Sequence, residues 1–162
     1  MNPWRPLRFL FAFALLVMLH YSLRPLLGWR AEMDFLVIAL LLAAVRVRPG
    51  VAAIIGFLLG LVADALTPGS YGASALAMSG IAFAASWLKA AFFADNLALN
   101  GFFLFLGKWL FDVLFFLVER RVHGGELVMQ LFVWSALSAA VTALAGVLAL
   151  MVMRPLLETR TA

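Results

Sequence analysis

Cysteine is absent from the 162 residues, which excludes disulfides, thiolate nucleophiles and cysteine metal sites in any redox compartment. Histidine is nearly absent too. His20 and His123 lie far apart in the chain, so a metal centre built on them is a poor reading and helix-end or loop positions a better one. Charge is equally scarce. Only 12% of residues are Asp, Glu, Lys or Arg, against roughly 25% in an ordinary soluble domain. The net charge of +4 does not point to nucleic acid, because its 12 Lys and Arg are scattered singly or in pairs between apolar runs. That distribution suits headgroup anchoring rather than a phosphate-tracking patch. The usual catalytic signatures are also missing. There is no GxSxG elbow, no HExxH and no Walker-type phosphate loop, so acyl transfer, zinc proteolysis and nucleotide hydrolysis lack their parts. The expectation is a protein with no catalytic residues, no metal and no cofactor.

What the chain has instead is apolar sequence: 66% of it is hydrophobic. A bilayer core of roughly 30 Å needs about 20 helical residues to cross it, and apolar segments of comparable length recur from end to end. Six spans are expected, Leu7 to Tyr21, Phe35 to Val45, Val51 to Leu66, Ala73 to Phe93, Leu97 to Val118 and Leu127 to Met153. This describes an all-α integral membrane protein, a compact bundle of about six transmembrane helices in one polytopic domain covering residues 1–162. The runs are continuous rather than alternating, which argues against a transmembrane barrel. The second span is short, reaching only about 17 Å at 1.5 Å per residue. It is expected to thin the bilayer, to borrow length by snorkelling of Asp34 and Arg46, or to fold back with span three. All six prolines are expected outside the spans. The opening MNPWRPLRFLFAFALLVMLHYS is followed by no small-x-small cleavage site, so it reads as a retained helix rather than a removed signal peptide.

Three constellations stand out. Gly56, Gly60 and Asp64 follow one another at i,i+4 steps in span three, ahead of the turn signal TPGSYG. Small residues at that spacing admit a second backbone, either inside the bundle or from a docking protein. Span six carries a stripe of Ser135, Ser138, Ala139, Thr142, Ala145 and Gly146, and span four is similarly rich in Ala, Ser and Gly. These read as internal seams. Span five is bulky, with Phe102, Phe103, Phe105, Trp109, Phe111, Phe115 and Phe116, as suits a helix facing lipid or filling a groove.

Span five also holds Lys108 and Asp112, an i,i+4 pair. A charge at the bilayer centre costs roughly 2.5–3.5 kcal/mol on insertion scales, so the pair needs partners. Counting depth at 1.5 Å per residue from Val51 and from Leu97 puts Asp64 and Lys108 at nearly one level. The expectation is a buried polar network in which Lys108 bridges Asp64 and Asp112. Its surplus negative charge would be met by a protonated Asp or by an outer arginine such as Arg24.

The segment GFLLGLVADALTPGSYGASALAMSGIAFAASWL, residues 56–88, resembles MreD, a family of bacterial rod-shape-determining membrane proteins. It shares that family's succession of Gly, Gly, Asp and a Gly-bearing turn leading into an Ala-rich helix. The resemblance implies a non-enzymatic scaffold of the elongation complex, or elongasome, in the cell inner membrane. That scaffold binds MreC, is associated with MreB, RodA and a class B penicillin-binding protein, and supports lateral peptidoglycan synthesis and rod cell shape. It implies membrane lipid and no nucleic acid among the partners, and it leaves homodimer formation open. An alternative is the substrate-binding component of an energy-coupling-factor vitamin transporter, similar in size and span count. Against that alternative, the first helix has Ala12 and Ala14 but no Ala pair at spacing four, and the outer loops are short.

An even number of spans puts both termini on one side. With that side cytoplasmic, Arg5, Arg8, Arg46, Arg48, Lys89, Arg154 and Arg160 lie inside and Arg24, Arg30, Arg120 and Arg121 outside, as the positive-inside rule requires. Trp4 and Trp87 then mark the inner interface, and Tyr21, Trp29 and Tyr71 the outer one. A reporter fused at Ala162 should therefore fluoresce as a cytoplasmic GFP and show no alkaline phosphatase activity; strong phosphatase activity there would reverse the topology.

Overall fold

The computed structural model describes residues 4–23, 34–67, 72–92, 97–119 and 124–157. Within them the chain is helical: α1 (Trp4–Leu23), α2 (Phe35–Ala44), α3 (Pro49–Leu66), α4 (Ala73–Phe92), α5 (Leu97–Glu119), α6 (Gly125–Met129), a π-helical turn (Gln130–Trp134) and α7 (Ser135–Leu157). The last three run on from one another, so the described residues form six rods in alternating directions, α2 the shortest. Both the start of α1 and the end of α7 lie at one end, called here the terminal end. Residues 130–151, α3 and α5 are long and apolar enough to cross a membrane, while the apolar stretches of α1, α2 and α4 are shorter. Several residues expected at the outer interface (Arg24, Trp29, Arg30, Tyr71, Arg120 and Arg121), together with Pro68–Tyr71 of the turn signal, His123 and Arg160, lie outside the described residues.

The short second helix is not a weak crossing matched to lipid. All ten residues of α2 are buried, because α1, α3, α4, α5 and α7 all pack against it. A helix that is apolar on every side is stable only where every side is covered. Enclosed by protein, α2 need not match the bilayer thickness, which removes the need to thin the membrane or fold back. Its ends must then be satisfied within the bundle. At the terminal end, Arg46 Nη1 donates to Leu42 O at 3.0 Å and Ser86 Oγ donates to Val47 O at 2.7 Å. At the far end Asp34 is the N-cap, its carboxylate accepting from Val37 N–H at 3.2 Å.

Helices α3 and α4 form the most extensive pair in the bundle. Gly56 and Gly60 make this possible. A Cβ on Gly56 would run into the Met78 carbonyl, and one on Gly60 into the Ala75 and Ser74 backbone. The glycine face is therefore covered by α4 and does not receive a second protein. The opposite face of α3, with Ile54, Leu58, Leu61 and Val62, is exposed. The small residues of α7 are internal: Ser135, Ser138, Ala139 and Thr142 are all buried, and a Cβ on Gly146 would meet Leu104 and Ile38. Of the two expectations for helix α5, facing lipid or filling a groove, the packing follows the second. Phe103 and Phe111 belong to the core while Phe102 faces outward, since α5 is wedged among α2, α4 and α7.

Three prolines lie inside helices rather than outside them, each near an end. Pro49 opens α3 at its first position, where no N–H is needed and the ring presets φ. Pro6 falls near the start of α1 and Pro155 near the end of α7. The π turn was not legible in the hydropathy. Within it the Leu131 carbonyl accepts a 3.0 Å bond from Trp109 Nε1.

The glycines of α3 yield a signed prediction. Gly56→Ala or Gly60→Ala forces two backbones apart, an overpacking expected to cost about 1–3 kcal/mol. Gly50→Ala in the same helix meets nothing within 4 Å and should be neutral or stabilising by up to about 1 kcal/mol through helix propensity. Thermal unfolding of the purified protein in one detergent should show melting temperatures moving in these opposite directions.

Candidate buried charge cluster and cavity

Lys108 sits halfway along α5 with its ammonium enclosed. Nζ donates to Asp112 Oδ1 at 2.6 Å and to Asp34 Oδ2 at 3.2 Å, and lies 4.9 Å from the centre of the Phe111 ring. Lys108 and Asp112 are only 6% and 8% exposed, so neither charge is left to solvent. Asp34 joins further elements to the cluster. Its other oxygen, Oδ1, caps α2 and stands 3.4 Å from His20 Nδ1 at the end of α1, while its backbone N–H donates to Thr142 Oγ1 of α7 at 3.1 Å. One ammonium thus ties the start of α2 to α5, with α1 and α7 attached through the same aspartate.

Asp64 is not in this cluster, contrary to the expected network. Its two oxygens accept from the N–H groups of Ser74 and Ala75 at 3.2 and 3.1 Å, capping the start of α4. The physical reasons are register and face. Helix α3 begins at Pro49 rather than Val51, so Asp64 lies about 22 Å along it, whereas Lys108 lies about 16 Å along α5. Asp64 also shares its face with Gly60, and that face is turned to α4. A carboxylate at the unsatisfied N–H groups of a helix start is well placed electrostatically. Arg24, the suggested extra donor, lies outside the described residues.

Asp34 and His20 are the residues that sequence reasoning did not bring to the site. A signal for Asp34 was present: an aspartate directly before the apolar run FLVIALLL is an N-cap signature. Depth counting also finds it when applied to the reversed helix, since Asp34 is about 15 Å back from Ala44, close to the level of Lys108. His20 carries no comparable signal.

The cluster forms one wall of a cavity of about 290 Å³ in the far half of the bundle. Ser135, Ser138 and Gln130 add polar atoms, and Phe115, Phe116 and Trp134 add aromatic surface. Ser135 is only 2% exposed, and its Oγ faces Asp112 without closing a hydrogen bond of good geometry. Among the described residues no group of three or more His, Cys, Asp or Glu side chains is placed to hold a metal ion. Chemically the arrangement offers fixed charge, hydrogen-bond acceptors and an apolar rim.

A family model described as rod shape-determining protein MreD matches residues 2–159. No curated protein and no solved structure matches the chain, so the architectural likeness to an energy-coupling-factor component rests on size and span count alone.

The geometry predicts how the charges couple. Lys108→Met strands two buried carboxylates and should cost about 3–5 kcal/mol. Adding Asp112→Asn should restore part of that loss, a coupling of about 0.5–3 kcal/mol, whereas Asp64→Asn combined with Lys108→Met should be additive within about 0.5 kcal/mol. Detergent-solubilised thermal unfolding of the singles and both doubles measures this; equal coupling to Asp64 and Asp112 would contradict the geometry.

Proposed function

The chain belongs to the MreD family of rod shape-determining proteins, and from that premise we propose that it is a non-enzymatic scaffold of the bacterial elongation complex, resident in the inner membrane with both termini cytoplasmic. It binds the transmembrane helix of MreC and, with MreB filaments, RodA and a class B penicillin-binding protein, supports lateral peptidoglycan synthesis. The observation that carries this reading is the family match over nearly the whole chain. It also favours the scaffold over a transporter's substrate-binding component.

The physical character of the bundle supports it. Nearly all of the described residues lie in helices, and the reading places the partner contacts within or beside the membrane. Helix–helix recognition in lipid relies on close van der Waals packing rather than a hydrophobic drive. Helix α3 is the least covered of the long apolar helices, held from behind by α4 through Gly56 and Gly60. Its outward row of Ile54, Leu58, Leu61 and Val62 is a rigid ridge against which a further helix packs. On α7, by contrast, Leu144 and Leu148 are exposed and are assigned to lipid.

The absence of cysteine makes the test clean. Leu58→Cys or Leu61→Cys on α3, paired with single cysteines along the MreC helix, should give oxidative cross-links in membranes, and Leu144→Cys should give none. Failure of MreC to co-purify with the unaltered protein in mild detergent would remove the partner assignment; cross-links only from α7 would move the interface.

A further inference from the structure

Helix α1 turns a narrow stripe to the bundle. Ala12, Leu16 and His20 follow one another at i,i+4 steps and all three are buried, on a helix that packs against α2 and α7. Two of them are apolar; the third lies nearest the far end. There His20 Nδ1 stands 3.4 Å from Asp34 Oδ1, while Asp34 Oδ2 takes Lys108 at 3.2 Å and Lys108 takes Asp112 at 2.6 Å. The four side chains form a row in which basic and acidic groups alternate. Its charge balances when the imidazole is protonated, since two carboxylates need two cations and Lys108 is one. A net charge in a site walled by protein is costly. The carboxylates are poor places for the balancing proton. Asp34 already accepts from Val37 N–H and from Lys108, and the 2.6 Å bond from Lys108 to Asp112 is of the short, charge-assisted kind. The imidazole is a good place. It lies in the last turn of α1, where the helix carbonyls favour a cation. At 3.4 Å a neutral N–H would make only a long bond, whereas a charge still interacts strongly.

We propose that His20 is a proton-binding site whose imidazolium latches the far end of α1 to Asp34 at the start of α2, so that the attachment of α1 depends on proton occupancy. The cavity is the path by which the proton exchanges, because His20 and Asp34 line it together with Thr67 and Ser74 at the far ends of α3 and α4. The other groups around His20 leave the proton to it. From α5, Lys108 and Asp112 reach it through Asp34. Among the described residues, the π turn and α7 bring only the neutral Gln130, Ser135 and Ser138 to that space. On α1 itself the Tyr21 ring lies edge-on at 5.1 Å, and on α3 Asp64 is committed to the start of α4. The proton is held in the folded bundle, where Asp34 faces the ring, and not in the unfolded chain. Its contribution to stability is therefore fully present below about pH 6.5, the ordinary titration point of a free imidazole, and is lost as rising pH strips the imidazolium. Opening the latch leaves the apolar Ala12 and Leu16 to hold α1, so its far end is released first. This inference does not depend on the scaffold reading and concerns a different part of the molecule.

The test uses the full-length protein in detergent, purified without a histidine tag and grown with isotope-labelled histidine. His20 and His123 are its two histidines, and His123→Gln assigns their ring-nitrogen resonances. At about pH 7.5, where a free imidazole is roughly one-tenth protonated, both His20 nitrogens are expected mostly at the imidazolium position. Asp34→Asn should return them to the neutral pattern at the same pH. Asn still caps α2, and Lys108 with Asp112 is then balanced without a second cation. A neutral His20 in the unaltered protein, or equal protonation in the two proteins, overturns the proposal. If Asp34→Asn does not fold, thermal unfolding of the unaltered protein and of His20→Gln decides. Between about pH 6 and about pH 8.5 the melting temperature of the unaltered protein should fall by about 2–4 °C more than that of the variant; parallel curves overturn the latch.

Discussion

The contact of Lys108 with Asp34 and Asp112 organises the bundle around a helix too short to span it. Helix α2 is ten residues of unbroken apolar sequence with every side covered, so its far end falls inside the protein, about 15 Å from its other end. A helix start left there has N–H groups to satisfy. Asp34 satisfies one of them, but its carboxylate then needs a counter-charge at that depth. Lys108 provides it, and Asp112 holds Lys108 in place. Each of the three groups would be costly alone; together they fix α2 against α5, and through His20 and Thr142 they reach α1 and α7.

Around this centre, small residues do the packing that larger apolar ones do in water-soluble proteins. In lipid there is little gain from hiding a leucine against another helix rather than against acyl chains, so close approach of backbones matters more. Gly56 and Gly60 let α3 and α4 touch at backbone level. Asp64 completes that joint by capping α4 from a neighbouring helix rather than from the residues just before it. The outcome is a helical pair held at its glycine face and at one end, with its outward face apolar.

The two ends of the bundle differ in chemistry. At the terminal end the polar contacts close on themselves, Arg46 and Ser86 each taking a carbonyl at the end of α2. At the far end they surround a cavity. The π turn before α7 contributes to that difference: its Leu131 carbonyl accepts from Trp109, and Gln130 and Trp134 of the turn line the open space. Local departures of this kind are frequent at functional positions.

Class, the number of helical rods and resemblance to a family were readable from residue order, because each depends on composition and local periodicity. Continuous apolar runs in a charge-poor chain point to membrane helices, and the Gly, Gly, Asp succession of residues 56–64 carried the resemblance. The pairing of Lys108 with Asp112 was likewise suggested by an i,i+4 relation within one helix. What needed tertiary structure was everything decided between helices. The glycine face could have served α4 or a partner equally well, and only the packing of α4 on it chose. Asp64 and Asp34 both lay within plausible depth of Lys108. A two-residue shift in the start of α3, and the complete burial of α2, assigned the first to a helix cap and the second to the charge cluster. Depth and facing are properties of where a whole rod sits, and an error of one turn in either is enough to exchange one buried partner for another.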